Sequence, residues 1–341
     1  MRKTVEQNER VKHGYVRYLE HAKGLDEAST DKVLDAIYRF EQSTGFKPFR
    51  AFHIDQAIKF KADLATVRNK RTGKPLSVST VDTTLTLVRN FFAWLAGQQG
   101  FKSKISYNDI VYFRNSRKNA RAAHADRDIP YPSIQAARHA FQAMPSETDV
   151  QKRNKALFAF LMLTGIRIGA AGSLRLKHIN LFDQHVLQDA REVNTKAAKT
   201  IDTWFFPVDP CYLECFTDWV EHLKDNLFFG PTDALFPKIQ VGVGKTGGFE
   251  AQGLSRDPYA TTTELNRVIR SAFAAVQMPT YTPHAFRKTL AMYGDQICET
   301  LEERKAWSRN LGHEHLATTV NAYMPLSRQR QAEIIKGMKS G

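Results

Sequence analysis

Leu163-Thr-Gly-Ile-Arg167-Ile-Gly-Ala-Ala-Gly-Ser-Leu174-Arg-Leu is the stretch on which the reading of this chain turns. Its leading apolar run meets Gly165, the residue type that most readily takes the left-handed conformation closing a helix. Arg167 then opens a second helical piece, so a guanidinium is held beside a helix N-terminus. Outward from here, Ser133–Met144 and Lys152–Leu163 have the helical apolar spacing. His178–Asp209 holds short β-rich pieces, Val186-Leu-Gln and Thr203-Trp-Phe-Phe-Pro-Val, so the expectation is a small sheet among helices.

Downstream lies Tyr281-Thr-Pro-His284-Ala-Phe-Arg287. Pro283 suits a helix start, and an offset of three puts His284 and Arg287 on one helical face. Near the end, Trp307-Ser-Arg-Asn-Leu311-Gly-His313-Glu-His-Leu-Ala-Thr-Thr-Val-Asn-Ala-Tyr323 supplies a further histidine and a phenol. Each piece alone is common: an H-x-x-R arises by chance and a lone arginine is usually in a surface ion pair. An arginine, an H-x-x-R, an L-G-H and a late tyrosine in that order form a specific set.

The set resembles the tyrosine recombinases, also called phage integrases, from Arg167 to the late tyrosine. The resemblance implies a mainly α chain with a small β-sheet in its second domain, arranged as a two-domain DNA clamp. Residues 1–125 would be a helical core-binding DNA-binding domain and residues 126–341 an α+β tyrosine recombinase catalytic domain. It implies a site-specific recombinase that cleaves and rejoins DNA through a 3′-phosphotyrosyl link to Tyr323, in integration, excision or resolution of a mobile genetic element. A phosphodiester under attack gathers negative charge, which arginine's planar fork matches bidentately; Arg167 and Arg287 take that part. Tyrosine, with a reference pKa of about 10, needs help as a nucleophile at neutral pH, and the resemblance gives that help to His284. His313 corresponds to a further phosphate contact, with His315 facing elsewhere.

The departing 5′-oxygen needs a proton, which in the family a lysine on a β-hairpin turn supplies. Asn194-Thr-Lys196-Ala-Ala-Lys199-Thr stands at that place, ahead of a strand expected over Thr203–Val208. Lys196 is favoured over Lys199 because it follows a short polar residue as the turn begins. The ester keeps the bond energy, so the resemblance calls for no ATP, other cofactor or metal. Its implied partners are double-stranded DNA with a specific recombination site, a homo-tetramer on that DNA and an accessory DNA-bending protein, with no membrane.

Two positions depart from the family pattern. Where an acidic residue usually stands three after the first arginine, this chain has Ala170, so support for the site must come from elsewhere. The interval from His313 to the tyrosine is ten rather than nine, to be absorbed between helices. Tyr293, the nearby competitor, reads as a packing aromatic. In the tail, Ile334, Ile335 and Met338 share one helical side, which either docks into a neighbouring subunit or caps its own domain. Competing readings are a type IB topoisomerase and a DNA-binding accessory factor that kept the fold and lost catalysis.

Charge agrees with a polyanionic partner: 49 lysines and arginines stand against 35 acidic residues, a net of +14. Residues 1–130 hold 24 basic and 14 acidic residues, the remainder 25 and 21. Thr30–Gln42, Ile54–Arg68 and Val78–Leu95 are expected helices. Between the last two, Arg68-Asn-Lys70-Arg71-Thr-Gly-Lys74-Pro is a basic turn in which Lys70, Arg71 and Lys74 either reach phosphates or form a solvated loop. Arg114–Pro130 reads as an interdomain linker with the boundary near residue 125. Gly242-Val-Gly-Lys245-Thr246 suggests a nucleotide loop only superficially, since Ile239 stands where the pattern wants glycine; Lys238–Gln252 reads as a flexible insertion. Cys211, Cys215 and Cys298 form no C-x-x-C pair and read as buried thiols in a reducing cytosol. The polar N-terminus and the lack of an 18-residue apolar run give a cytoplasmic, non-exported expectation.

Overall fold

The computed structural model describes residues 2–69, 72–124, 130–243, 247–317, 319 and 328–338. The chain folds as two compact units, Met1–Ala125 and Asp126–Gly341. The first unit packs α1 (Arg2–His21), α2 (Glu27–Thr44), α3 (Ile54–Thr66) and α4 (Val78–Ala96), followed by the short α5 (Tyr107–Ile110) and α6 (Arg117–His124). The caps explain the boundaries. Asp26 accepts from the Ser29 N–H at the start of α2, Gly45 closes it at φ 65°, and Ser77 accepts from the Thr80 N–H at the start of α4. Phe40, Phe52, Phe92 and Phe113 form the centre, with the Phe52 and Phe92 rings 4.4 Å apart.

Two elements here differ from the sequence reading. α1 is not among the expected helices, because its charged residues hide a narrow apolar stripe. It buries Tyr15 and Leu19, and Lys12 Nζ reaches into the core to Glu41 Oε2 at 2.8 Å. Arg117–His124 is helical although its sequence reads as a linker, and it packs along α4, with Asn115 donating to Asp82 at 3.2 Å just before it. Lys70 and Arg71 lie outside the described residues. Lys74 is exposed in an ordered turn whose Asn69 N–H donates to the Lys74 carbonyl at 2.8 Å.

The second unit is built around α8 (Asp149–Thr164), where every residue from Ala156 to Thr164 is buried. A helix apolar on all sides must be wrapped. α7 (Ile134–Gln142), α10 (Pro210–Glu221), α11 (Thr263–Ala275) and α12 (Pro283–Ile297) do the wrapping. Between α8 and α10 come α9 (Ile168–Ala171) and an antiparallel sheet of β1 (Ile179–Asn180), β2 (His185–Gln188) and β3 (Ile201–Trp204), in that order. α13 (Leu301–Asn310) follows α12, and its Trp307 indole donates to the Leu290 carbonyl at 3.0 Å.

β3 starts two residues earlier than expected and stops at Trp204. The Phe206 N–H turns away to the Leu163 carbonyl at 2.6 Å, and Pro207 has no N–H to extend a ladder. The Asn310 side chain then takes the place of a neighbouring strand. Its amide donates to the Trp204 carbonyl and its oxygen accepts from the Trp204 N–H, each at 2.8 Å. The segment expected as a flexible insertion is instead a hairpin, β4 (Ile239–Val243) with β5 (Phe249–Leu254). Its glycines mask the alternation of Ile239, Val241 and Val243; Gly244, Lys245 and Thr246 lie outside the described residues. Of the cysteines, all free, only Cys298 is fully buried. No described helix is long and apolar enough to cross a membrane.

Gly165 caps α8 at φ 60°, and a Cβ there would meet Leu311 Cδ2 at 2.8 Å and Leu290 Cδ1 at 3.0 Å. Gly165→Ala is therefore expected to destabilise the second unit by about 2–3 kcal/mol, read from urea unfolding followed by tryptophan fluorescence.

Candidate active site

α8 ends on Gly165, and two residues later Arg167, extended at φ −66°, caps the start of α9. α12 begins, as its sequence dictates, with Thr282 as N-cap and Pro283 in the first turn. His284 is then exposed, while Arg287, one turn on, is buried at 2% exposure. Its guanidinium lies between two helix ends. Nη1 donates to the Gly165 carbonyl at 2.5 Å, and Nη2 donates to the Leu311 carbonyl. Gly165 and Leu311 are the C-caps of α8 and α13, so the cation meets the negative ends of two helix dipoles.

His313 follows Leu311-Gly312, and its Nε2 lies 3.0 Å from Arg287 Nη2. Its Nδ1 lies 2.7 Å from Thr319 Oγ1, itself 2.6 Å from Ser308 Oγ. A cleft of about 490 Å³ opens above, lined by Arg167, Lys196, Lys199, His313, Glu314 and His315 among others. Lys196 opens a short 3₁₀ turn (Lys196–Ala198) between β2 and β3 and is exposed. Lys199 is bound by the Glu314 carboxylate.

The charges acting on the two histidines are of one sign. Partial burial, then Arg287, Arg167 and Lys196, lower the His284 pKa. Burial, then Arg287, Arg167, His284 and Lys196, push that of His313 down to about 4. No carboxylate is among the causes in either case, so both rings are neutral at pH 7 in a field made for an anion.

The sequence pattern of the phage integrase family matches residues 135–330. The chain belongs to the phage integrase family. Its activity is that of a site-specific recombinase, an enzyme that breaks and rejoins DNA strands. A search of curated protein sequences returns no significant match. Among solved structures the recombinase is similar to a lambda integrase dimer bound to a COC′ core site, with a TM-score of 0.63 and 13% identity over 94% of this chain and 96% of that one. It is also similar to the Tn1549 transposon integrase in complex with transposon right end DNA, with a TM-score of 0.61 and 15% identity over 96% and 99%. XerH recombinase bound to palindromic difH substrate gives a TM-score of 0.60 and 14% identity over 96% and 84%. These likenesses establish the two-unit, mainly helical fold with small sheets.

Of the recombinase's expected site residues, Arg167, Lys196, His284, Arg287 and His313 come together around this cleft, while Tyr323 lies outside the described residues. His315 is exposed on the cleft rim rather than turned away from it. Tyr293 packs edge-on against Trp307, their ring centroids 6.1 Å apart. Ala170 is buried among apolar side chains, and what braces Arg287 is the pair of helix C-caps. The sequence reading misses Ser308, Thr319 and both carbonyls; buried hydroxyls and backbone acceptors leave no motif.

A histidine whose pKa is depressed in the folded state binds fewer protons than when unfolded. Its contribution is intact above the unfolded value of 6.5 and is lost as pH falls toward about 4. Stability of the wild type is expected to drop across that window by up to about 1.4 kcal/mol per pH unit for this ring. His313→Gln removes that share of the slope, as urea midpoints from pH 4 to 7 would report.

Proposed function

We propose that this recombinase cleaves DNA by attack of the Tyr323 hydroxyl on a backbone phosphate, forming a 3′-phosphotyrosyl link and freeing a 5′-hydroxyl. A 5′-hydroxyl of the partner strand then attacks the link and restores the phosphodiester. Arg287 carries this reading. A buried guanidinium normally has a carboxylate partner, since an unpaired buried charge is costly. Among the described residues Arg287 has none, and its Nε–H is buried without an acceptor. An anion entering the cleft supplies what the protein withholds, and a phosphodiester flanked by Arg167 and Arg287 is that anion.

His284, neutral and beside these cations, accepts the tyrosine proton, and His313 holds the Arg287 guanidinium at the edge of the phosphate pocket. Lys196 protonates the leaving oxygen; Lys199 is engaged by Glu314, which favours Lys196 for the task. In the first unit, residues 1–125, Lys74 together with Lys70 and Arg71 contacts DNA phosphates and sets position more than sequence. The working form is a homo-tetramer on two copies of a specific double-stranded site in the cytoplasm, with an accessory DNA-bending protein as a further partner. The terminal helix Arg328–Gly337 leaves Ile335 and Met338 exposed at 62% and 65%, which supports docking into a neighbouring copy.

A suicide substrate taken from DNA flanking the gene tests the nucleophile. Wild type should form a denaturation-resistant adduct and Tyr323→Phe none; an adduct surviving in the variant would move the nucleophile to another tyrosine. Tight DNA binding with no adduct in either would favour an accessory factor, and relaxation of a plain supercoiled plasmid without exchange a topoisomerase.

The proton donor is tested separately. Lys196→Ala should slow cleavage by about 10²- to 10⁴-fold, and a 5′-bridging phosphorothiolate, whose sulfur leaves without a proton, should restore the rate. Lys199→Ala should respond little to that substitution, and the reverse pattern would assign the role to Lys199.

A further inference from the structure

The contacts of His313 fix where its proton resides. A guanidinium only donates, so the 3.0 Å contact with Arg287 Nη2 requires a lone pair on His313 Nε2. The neutral ring then carries its proton on Nδ1, which faces Thr319 Oγ1 at 2.7 Å. The threonine oxygen accepts that bond and lies 2.6 Å from Ser308 Oγ, a contact in which either hydroxyl can donate. From Arg287 through His313 to Thr319 the donors point the same way. The three last members are 7%, 1% and 2% exposed, so water does not compete for these bonds.

We propose that Thr319 is a positioning residue of the recombinase: with Ser308 behind it, its hydroxyl holds His313 in the Nδ1–H form, so that Nε2 steers the Arg287 guanidinium. Were the ring in the other form, an N–H would confront the guanidinium and the bond between them would be lost. What Arg287 is held to do rests on the strand-cleavage reading above; the hydrogen-bond order does not.

The position of Thr319 gives the relay a second consequence. It stands four residues before Tyr323. The hydroxyl that sets the His313 ring therefore belongs to the segment leading to the nucleophile, and Ser308 belongs to α13.

The test compares wild type with Thr319→Val, which keeps shape and loses the hydroxyl, with Thr319→Ser, which keeps the hydroxyl, and with Ser308→Ala. In full-length protein carrying ¹⁵N-labelled histidine, the two ring nitrogens of His313 report its tautomer. Single-turnover cleavage of the suicide substrate reports rate, and a binding titration reports DNA affinity. Wild type and Thr319→Ser should show Nδ1–H and similar rates. Thr319→Val should show a mixed or Nε2–H ring and cleavage on the order of 10- to 100-fold slower, with DNA affinity nearly unchanged. Ser308→Ala removes the partner that holds the Thr319 hydroxyl in place and should give a partial tautomer shift and a smaller loss, which keeps the test open if the valine variant fails to fold. An Nδ1–H ring and wild-type rate in Thr319→Val, or a slower rate with the tautomer unchanged, overturns the proposal. A wild-type Nε2–H ring overturns it alone, whereas an Nδ1–H ring in a protein that forms no DNA adduct upholds the relay and removes the strand-cleavage reading.

Discussion

The second unit depends on a cation held between two helix ends. Arg287 tolerates burial because the C-caps of α8 and α13 present carbonyls to it at the negative poles of their dipoles. Neither cap can move without the other. α8 must stop at Gly165 to offer its carbonyl, and the tight packing of Leu290 and Leu311 against that glycine fixes the spacing. The site is thus an outcome of core packing: the residues that seal the core next to α8 are those that aim the guanidinium.

A cleft with several cations and no carboxylate acting on its histidines is a stored electrostatic imbalance. Natural cores avoid such imbalance unless a ligand corrects it. Burial first, and this imbalance after it, depress the pKa of both imidazoles. Together they keep the rings neutral, as the proposed proton acceptance at His284 and the Nε2 lone pair facing Arg287 at His313 require. In the proposed reaction, the cations that would attract phosphate also help to keep these rings unprotonated, so affinity and reactivity would share part of their origin.

Much of this is legible in the sequence where the signal is local. The α2, α3 and α4 helices follow from apolar spacing and caps, and Pro283 places the start of α12. Gly165 announces the end of α8. Less is legible where the determinant is non-local. The end of β3 is set by a bond from Phe206 to Leu163, and the role of Leu311 depends on which guanidinium reaches its carbonyl. In α1, a buried Lys12–Glu41 pair converts a stretch that reads as solvated surface into a packed helix. The β4–β5 hairpin escapes a sequence reading because its glycines outweigh the alternation of its apolar residues.

The pairing of Asn310 with Trp204 also bears on how the chain reaches this state. A side-chain amide standing in for a strand closes the edge of the three-stranded sheet, and that amide arrives only when α13 docks, more than a hundred residues downstream in sequence. Until then β3 has an open edge beside the half-exposed Trp204 ring, a surface that can recruit another chain. The docking that brings the Leu311 carbonyl to Arg287 and the covering of this sheet edge against aggregation are one event.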